Sequence, residues 1–412
     1  MNRIPLFLKY ALCTVFGLCV MTGCVDEYEA ELPEGDSHLL VVSGTICSGR
    51  YSEFHLTWSV PLSQKSDYDD DSSSYWETQL VRDAKVTICG TDGSVYECPE
   101  NVVSYEYDDT SYSFGTGYYG CDMPQLNPDV SYYVNIECDG DTYQSTPEKP
   151  IPTPKIERLE CFQKDSLSNV EVLLTTAEPD NPDQATYCTW TYVETWEMRP
   201  LRKTTIYFDT ITMKRQYLSE DELYPERGWK FGWDETILAA STANYADGRF
   251  NRYQLLEIPR DDERVYWCYS NEVTQRAVSK TEYEYMKACL EAGWEMGGLF
   301  SPQPSALPTN IHCKTSSKRA IGYVGCSQNV ATKRIYIKAS EISRDLPKPG
   351  PHMYLPNCSE FECAEMVEHG WILYLWYDGR MTMGPLETYW ARPEDFDIRL
   401  HGAMTYKPGY MP

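Results

Sequence analysis

The feature that most constrains the fold is a hairpin pattern that occurs twice in the first third of the chain. Apolar and polar residues alternate up to an Asp-Gly pair and continue beyond it, first at Asp92-Gly93 and again at Asp139-Gly140. Alternation puts every second side chain on one face of a strand, and an Asp-Gly pair favours the tight turn between antiparallel strands. With the strand-like runs at 38–46 and 53–62, these hairpins predict a β-sandwich of immunoglobulin-like type over residues 38–146.

A proline-rich stretch follows this first set of strands. Four prolines fall between Pro147 and Pro154, and because each one fixes φ, the segment favours a stiff, extended conformation. We interpret residues 147–158 as a linker between two domains. The second domain is then residues 159–412, in which strand patterns recur and residues 200–250 are predicted to form long aromatic loops.

One segment of the second domain carries a helical signal. Ser279 is a favourable N-cap, and Glu282 follows three residues later, as in a capping box. Gly293 is a typical residue for a helix end. The sequence therefore predicts a helix over 280–292. The predicted fold class is mainly β, with two tandem immunoglobulin-like β-sandwich domains, the second with long loops and one inserted helix.

The N-terminus has the pattern of an export signal. Arg3 and Lys9 precede or flank an apolar run of about a dozen residues, which is too short to span a bilayer. Small residues then lead into Cys24, and this junction resembles a bacterial lipobox, in which the cysteine is acylated. We interpret residues 1–23 as a lipoprotein signal peptide and Cys24 as the lipid attachment site. The alternative is an ordinary secretory signal with an incidental cysteine.

Acidic residues follow the cysteine at once, and residues 24–37 predict a solvated, flexible tether. The first acids of this tether are Asp26, Glu27, Glu29 and Glu31. Such a run beside a lipidated cysteine also resembles the export signal that takes Bacteroidetes lipoproteins to the outer face of the outer membrane. We therefore expect a lipid-anchored outer-membrane protein that faces the cell exterior.

Net charge limits the class of partner, and cysteine content indicates the redox compartment. The formal net charge is -26, and loss of the leader with its two positive charges makes it -28, so nucleic acid is not an expected partner. Of the 16 cysteines, thirteen follow Cys24, which is typical of disulfide-forming proteins in an oxidising compartment and leaves at least one unpaired. We expect Cys89 to pair with Cys98 across the first hairpin. A second expected group of neighbouring cysteines is Cys313, Cys326, Cys358 and Cys363.

The sequence does not favour an enzyme. Its six histidines are scattered without metal-ligand spacing, and it has no nucleophile-elbow, metalloprotease or P-loop motif. We expect no catalytic residue, cofactor or metal. A carboxylate pair of the glycosidase type stays open as an alternative, because sequence spacing does not give distance in space. The oxygen-rich segment 66–75 fits a solvated loop better than a calcium site, since it lacks the glycine and final glutamate of an EF-hand loop.

Aromatic residues are in excess, with 33 tyrosines and 11 tryptophans against 11 phenylalanines. Tyr and Trp combine a large apolar face with a polar edge, which suits the binding of sugars, peptides or proteins. The candidate surface for a glycan, peptide or protein partner is Trp190, Trp196, Tyr224, Trp229 and Trp233. The alternative for each is a place in a sandwich core.

A motif after the helical segment links the chain to a family. The sequence GGLFSPQPS, then an Asn-Ile step and a Gly-Tyr pair, resembles the Bacteroidetes lipoproteins catalogued as domain of unknown function 4249. The matching residues are Gly297, Gly298, Leu299, Phe300, Pro302, Gln303, Pro304, Ser305, Asn310, Ile311, Gly322 and Tyr323. Ser301 departs from the family's usual Asp, and residues after about 345 have no counterpart. We interpret this motif as structural, a turn that docks a loop.

The resemblance implies a surface lipoprotein of a kind often encoded beside TonB-dependent outer-membrane receptors. We therefore expect a non-enzymatic accessory or binding partner of a TonB-dependent transporter in nutrient uptake. The alternative is a structural or adhesive cell-surface lipoprotein, because sandwiches on lipid tethers also serve in adhesion.

Overall fold

The computed structural model describes residues 39–59, 79–107, 110–179, 181–233, 238–295, 307–379 and 386–412. Strands dominate this part of the chain, and the predicted class, mainly β with a sandwich architecture, is confirmed. None of the helices in these ranges has the length and apolar character needed to cross a membrane.

The first sandwich consists of two five-stranded sheets. Sheet A contains, in spatial order, β19 (Ala320–Ser327), β1 (Leu40–Cys47), β2 (Tyr51–Trp58), β6 (Thr110–Asp122) and β5 (Glu100–Tyr107). Sheet B contains β18 (Ile311–Cys313), β8 (Asp141–Ser145), β7 (Tyr132–Cys138), β3 (Lys85–Gly90) and β4 (Val95–Cys98). Both predicted hairpins are present, as β3–β4 and β7–β8. Asp139 and Gly140 both adopt positive φ, as the tight turn requires.

The core of the first sandwich follows from the alternation in its strands. Val134 and Ile136 on β7 face Leu56 on β2 across the space between the sheets, and all three are fully buried. Burial of about 25 cal/mol per Å² of apolar surface is the main force that holds the two sheets together.

Two strands from far along the chain complete this sandwich. The first sandwich therefore includes residues from beyond the predicted domain boundary. β19 pairs in parallel with β1, and β18 pairs with β8. Ile311 and Val324 are buried in the first core, although residues 159–412 were expected to form the second domain. A parallel pair needs a long crossover and no local turn, so nearby sequence carries no signal for it.

The second sandwich has a three-stranded and a five-stranded sheet. Sheet C contains β16 (Tyr253–Ile258), β10 (Val170–Thr176) and β9 (Ile156–Phe162). Sheet D contains β14 (Gly228–Trp233), β11 (Tyr187–Met198), β17 (Cys268–Val278) and β20 (Ala331–Lys338), with β15 (Leu238–Ser241) also paired to β11. Val172, Trp190 and Val273 lie in the core between these sheets.

A third, smaller core is built mainly by the C-terminal part of the chain. Its elements are the hairpin β12 (Ile206–Asp209) and β13 (Lys214–Tyr217), sheet F of β21 (His352–Pro356), β23 (Leu386–Ala391) and β22 (Ile372–Asp378), and helix α2 (Glu360–Glu368). Phe208, Met366 and Trp390 are buried together in it. Residues 200–250 thus contain four strands where long loops were expected, and α2 was not predicted.

The predicted helix begins where expected and extends further. Helix α1 spans Lys280–Glu295, and the backbone N–H of Glu282 donates to Ser279 Oγ at 3.1 Å, so Ser279 caps it. The helix continues past Gly293, the predicted stop. α1 contacts β11 and β15 of sheet D on one side and β19 of sheet A on the other.

The proline-rich segment is bonded to both sandwiches. The N–H of Ile151 donates to the carbonyl of Cys326 at 3.1 Å, at the end of β19. Thr153 Oγ1 accepts from the N–H of Ala277 on β17 at 2.9 Å. The segment is therefore a fixed part of the junction between the sandwiches.

Candidate functional site

A cleft lies where sheets A and D meet helix α1. Its volume is about 580 Å³, within the range of small-molecule sites. Sheet A contributes Ser43, Gly44, Thr45 and Tyr323; sheet D contributes Thr189, Trp190, Thr191, Leu238, Thr274 and Arg276; α1 contributes Glu282, Tyr285, Met286 and Cys289; Val330 completes the lining. The cleft is thus walled by hydroxyl groups and apolar side chains, with one charged pair.

The charged pair is formed by Arg276 and Glu282. Arg276 Nη2 donates to Glu282 Oε1 at 2.7 Å, and the side chains are only 16% and 4% exposed. Arg276 Nη1 and Glu282 Oε2 are buried and have no hydrogen-bond partner among the described residues. A buried polar atom without a partner costs about 1–3 kcal/mol, so Arg276 Nη1 and Glu282 Oε2 are an unsatisfied donor and an unsatisfied acceptor beside the cleft.

Two glycines of β19 shape the sheet A wall. A Cβ on Gly325 would stand 2.6 Å from both carboxylate oxygens of Glu282, so glycine lets that carboxylate lie against the strand. Gly322 has φ of +116°, and a Cβ there would stand 1.8 Å from the carbonyl oxygen of Val42 on the paired strand. Only glycine fits that backbone conformation and that close approach.

Tyr323 connects the cleft to a hydroxyl–carboxylate network at its edge. Its hydroxyl donates to Glu148 and lies 2.7 Å from Thr281 Oγ1 and 3.1 Å from Ser279 Oγ. Burial raises the pKa of the Glu148 carboxyl, although the bonds from Tyr323 and Ser279 act against that rise. Burial also raises the pKa of Tyr323, so its hydroxyl stays protonated and acts as a donor.

The titratable groups of the α1 wall are poor nucleophiles. Burial raises the pKa of the Cys289 thiol, and it raises that of Tyr285 as well. The thiolate is the reactive form of cysteine, so Cys289 is protonated and weakly reactive at neutral pH. The cleft is better suited to binding than to covalent chemistry.

A second buried acid lies at the other end of sheet D. Glu194 accepts from Arg264 Nη1 at 3.0 Å and from the Tyr269 hydroxyl at 2.5 Å. Asn271 Nδ2 in turn donates to that hydroxyl at 2.9 Å. Because Glu194 is held by a cation and a donor, it serves as a structural link between strands.

A larger cavity of about 720 Å³ lies along the proline-rich segment. Its charged side chains, Lys155, Glu178 and Lys280, are exposed to solvent. Exposed charges are screened and bind weakly, so this cavity is the weaker candidate. No group of three or more His, Cys, Asp or Glu residues in the described ranges is arranged to hold a metal ion.

Three members of the predicted aromatic surface are buried, although one of them, Trp190, lines the cleft. Trp190, Trp196 and Trp229 are only 1%, 8% and 7% exposed; Trp190 Nε1 donates to Gln275 Oε1 at 2.9 Å inside the second core. Period-two alternation in β11 and β14 turns these rings toward buried neighbours rather than toward solvent.

The remaining two aromatic candidates have different environments. Tyr224 is half-buried, with its ring centroid 6.0 Å from that of Phe396. Trp233 is 71% exposed at the end of β14 and is the member of the set that a partner can reach.

The predicted cysteine pairs are also different in the structure. Cys89 lies opposite Val95 in the β3–β4 register, whereas Cys98 lies opposite Val86, so Cys89 and Cys98 do not face each other. The expected four-cysteine group is divided: Cys313 and Cys326 belong to the first core, and Cys358 and Cys363 to the third.

Several predicted positions lie outside the described residues. They are Cys24, Asp26, Glu27, Glu29, Glu31, Gly297, Gly298, Leu299, Phe300, Pro302, Pro304 and the segment 66–75. Of the other motif residues, Asn310 clamps β19: its Nδ2 donates to the carbonyl of Val324 at 2.9 Å, and its Oδ1 accepts from the Val324 N–H at 3.0 Å. Of these motif residues Tyr323 lines the cleft, whereas Asn310 and Gly322 fix β19, the strand that carries it. Sequence reasoning missed Arg276, which lies among other polar residues of β17 and has no local signal that sets it apart.

Comparison with known proteins identifies one family. The family model described as Domain of unknown function (DUF4249) matches residues 25–334. This match covers every residue of the cleft and all strands of both sandwiches except the second half of β20. No curated protein matches the chain.

Proposed function

We propose that this chain, which belongs to the DUF4249 family, is a lipid-anchored protein of the outer membrane that captures a ligand at the cell exterior for a TonB-dependent transporter. It binds this ligand without changing it chemically. The proposal combines the cleft between the sandwiches with the leader at the N-terminus, two features that are tested separately.

The observation that supports the binding role is the free donor and acceptor in the cleft. Arg276 Nη1 and Glu282 Oε2 are both buried and unpaired within the described residues. A ligand with an acceptor for Arg276 Nη1 and a donor for Glu282 Oε2 removes the free-energy cost of leaving these two atoms unpaired. Peptide amides and neighbouring sugar hydroxyls present both groups together, so a short peptide or a glycan is the favoured ligand.

The leader supports the location. Cys24 follows an apolar run and precedes the acidic segment, and the first strand begins at Leu40. Acyl chains contribute about 0.8 kcal/mol per buried methylene, which is enough for stable anchoring when several are present. Residues 24–37 provide the spacing that would hold the first sandwich away from the bilayer.

The binding role is tested with purified Cys24→Ala protein and a panel of di- and tripeptides and of mono- and disaccharides. Thr191→Trp on β11 fills the cleft from sheet D, and Thr332→Trp adds the same ring on β20, two strands away and outside the lining. A ligand should raise the melting temperature of the parent and of Thr332→Trp but not of Thr191→Trp. Equal shifts in all three proteins, or none in the parent, would contradict the binding role.

The location and the partner are tested in intact cells. Protease shaving should degrade the wild-type protein, and Cys24→Ala should release it from the membrane fraction. Affinity purification of the cross-linked protein should recover a TonB-dependent transporter. Recovery of polymers of the chain itself, or of extracellular matrix, would favour the adhesive alternative instead.

A further inference from the structure

We propose that two specific disulfides, Cys98–Cys121 and Cys358–Cys363, form in the mature protein. The Sγ atoms of Cys98 and Cys121 lie 3.1 Å apart, and those of Cys358 and Cys363 lie 2.9 Å apart. These distances bring each pair within reach of a bond after small side-chain rotations.

The first pair joins the two sheets of the first sandwich. Cys98 ends β4 in sheet B, and Cys121 lies near the end of β6 in sheet A. Pro99 separates β4 from β5, so the chain crosses between the sheets at this point. Cys98 is buried and Cys121 half-buried in or against the first core. A bond here would close the β5–β6 hairpin onto the opposite sheet.

The second pair occupies the position of a hydrophobic staple at helix α2. Ser359 is the N-cap, with its hydroxyl accepting from the N–H of Glu362. Cys358 immediately precedes the cap and Cys363 is the fourth helical residue, the two positions whose side chains meet in a staple. Both thiols are buried in the third core. A bond here would fix the angle at which the chain enters the helix.

The chemistry is a thiol–disulfide exchange with a disulfide-bearing oxidoreductase as the oxidant. One thiol of a pair loses its proton and attacks the donor disulfide, which gives a mixed disulfide and releases one donor thiolate. The second cysteine, also deprotonated, attacks the mixed disulfide and expels the other donor thiolate. The two protons pass to the donor thiolates; each protein pair is oxidised by two electrons and the donor is reduced by two.

The inference rests on the proposed export, since disulfides persist in oxidising compartments. The full chain is therefore analysed in two forms. One is isolated from cells with its free thiols alkylated before lysis, and the other is prepared reduced and then oxidised with glutathione disulfide. The second form tests the geometry of the pairs whatever the location of the protein.

A Glu-specific protease resolves the first pair. It cuts after Glu97 and Glu100 and so releases Cys98 on a short peptide, separate from Cys121. The expected product in both forms is one linked species, two hydrogens lighter than the separate peptides. As a matched control, Cys89→Ser should leave this species unchanged, whereas Cys121→Ser should abolish it.

The same digest resolves the second pair, because cuts after Glu360 and Glu362 lie between Cys358 and Cys363. Alkylated cysteines in the glutathione-treated protein, or a link from Cys98 to Cys89, would overturn the assigned pairing. Links that form with glutathione but are absent from cellular protein would support the pairing and contradict the exported location.

Discussion

Gly325 lies directly against the carboxylate of Glu282, so that a Cβ on Gly325 would stand 2.6 Å from each carboxylate oxygen. Glu282 is also the partner of Arg276. Because Gly325 on β19 has no side chain, Glu282 on α1 can lie against that strand and form its ion pair with Arg276 on β17. This contact links sheet A, α1 and sheet D at one point in the cleft.

Gly325→Ala should lower the free energy of unfolding by about 1–3 kcal/mol, the usual cost of overpacking a tight site. The added methyl group must displace the Glu282 carboxylate, because both carboxylate oxygens lie 2.6 Å from the position that the methyl carbon would take. Equilibrium urea unfolding measures the effect. In a Glu282→Ala background the same substitution should cost close to nothing, because the clashing oxygens are gone. An equal cost in both backgrounds would show that another contact is responsible.

Glu148→Gln should change how stability depends on pH. Burial raises the pKa of Glu148 above its ordinary value of 4.5, so the folded protein binds this proton more tightly than the unfolded chain does. The stabilisation is complete below pH 4.5 and is lost as pH rises through the folded-state pKa. The Gln variant keeps a neutral side chain at every pH. Its free energy of unfolding relative to that of wild type should therefore increase from pH 4 to pH 7.

Unfolding midpoints measured at several pH values test this expectation. Glu291→Gln, on the exposed surface of α1, removes the same charge and is the matched control. A wild-type protein that gains stability relative to Glu148→Gln with rising pH would contradict the sign of the shift.

Local signals in the sequence were sufficient for some elements and not for others. The Asp139-Gly140 turn and the Ser279 cap act within a few residues, and both are confirmed. The pairing of β1 with β19 joins Leu40 to Ala320, 280 positions further along the chain, and no local pattern exists for such a pairing. The cleft was hidden for the same reason, since Tyr323 of sheet A and Arg276 of sheet D line it together only after the two sandwiches are assembled.

Glu282 shows a further limit of sequence reasoning. Its place three residues after Ser279 suggested a capping box, in which the carboxylate returns to the backbone of the cap. In the structure that carboxylate pairs with Arg276. One sequence pattern is compatible with both uses, and the choice depends on the strand that tertiary packing brings alongside.

Trp233 and Trp196 should respond in opposite ways to replacement by alanine. Trp233 is exposed, so Trp233→Ala should change the free energy of unfolding by no more than about 0.5 kcal/mol while lowering the yield of cross-linked transporter. Trp196 is buried, and Trp196→Ala should destabilise the protein by about 3–5 kcal/mol. Unfolding curves and cross-linking yields on both variants give the comparison. An unchanged yield for Trp233→Ala would remove this residue from the partner surface.

Reduction should destabilise the first sandwich through the loss of the Cys98–Cys121 bond. The two cysteines are 23 positions apart, and a loop of that length corresponds to about 3 kcal/mol of restriction of the unfolded chain. Because reduction breaks both bonds, wild-type protein with and without a reducing agent should differ by more than this amount in urea unfolding. The Cys98→Ser/Cys121→Ser variant should lose the part of the stability change on reduction that comes from Cys98–Cys121.

The short loop of Cys358–Cys363 should contribute less, so Cys358→Ser/Cys363→Ser should retain most of the stability change on reduction. A double variant at Cys98 and Cys121 that responds like wild type would place the stabilising bond elsewhere.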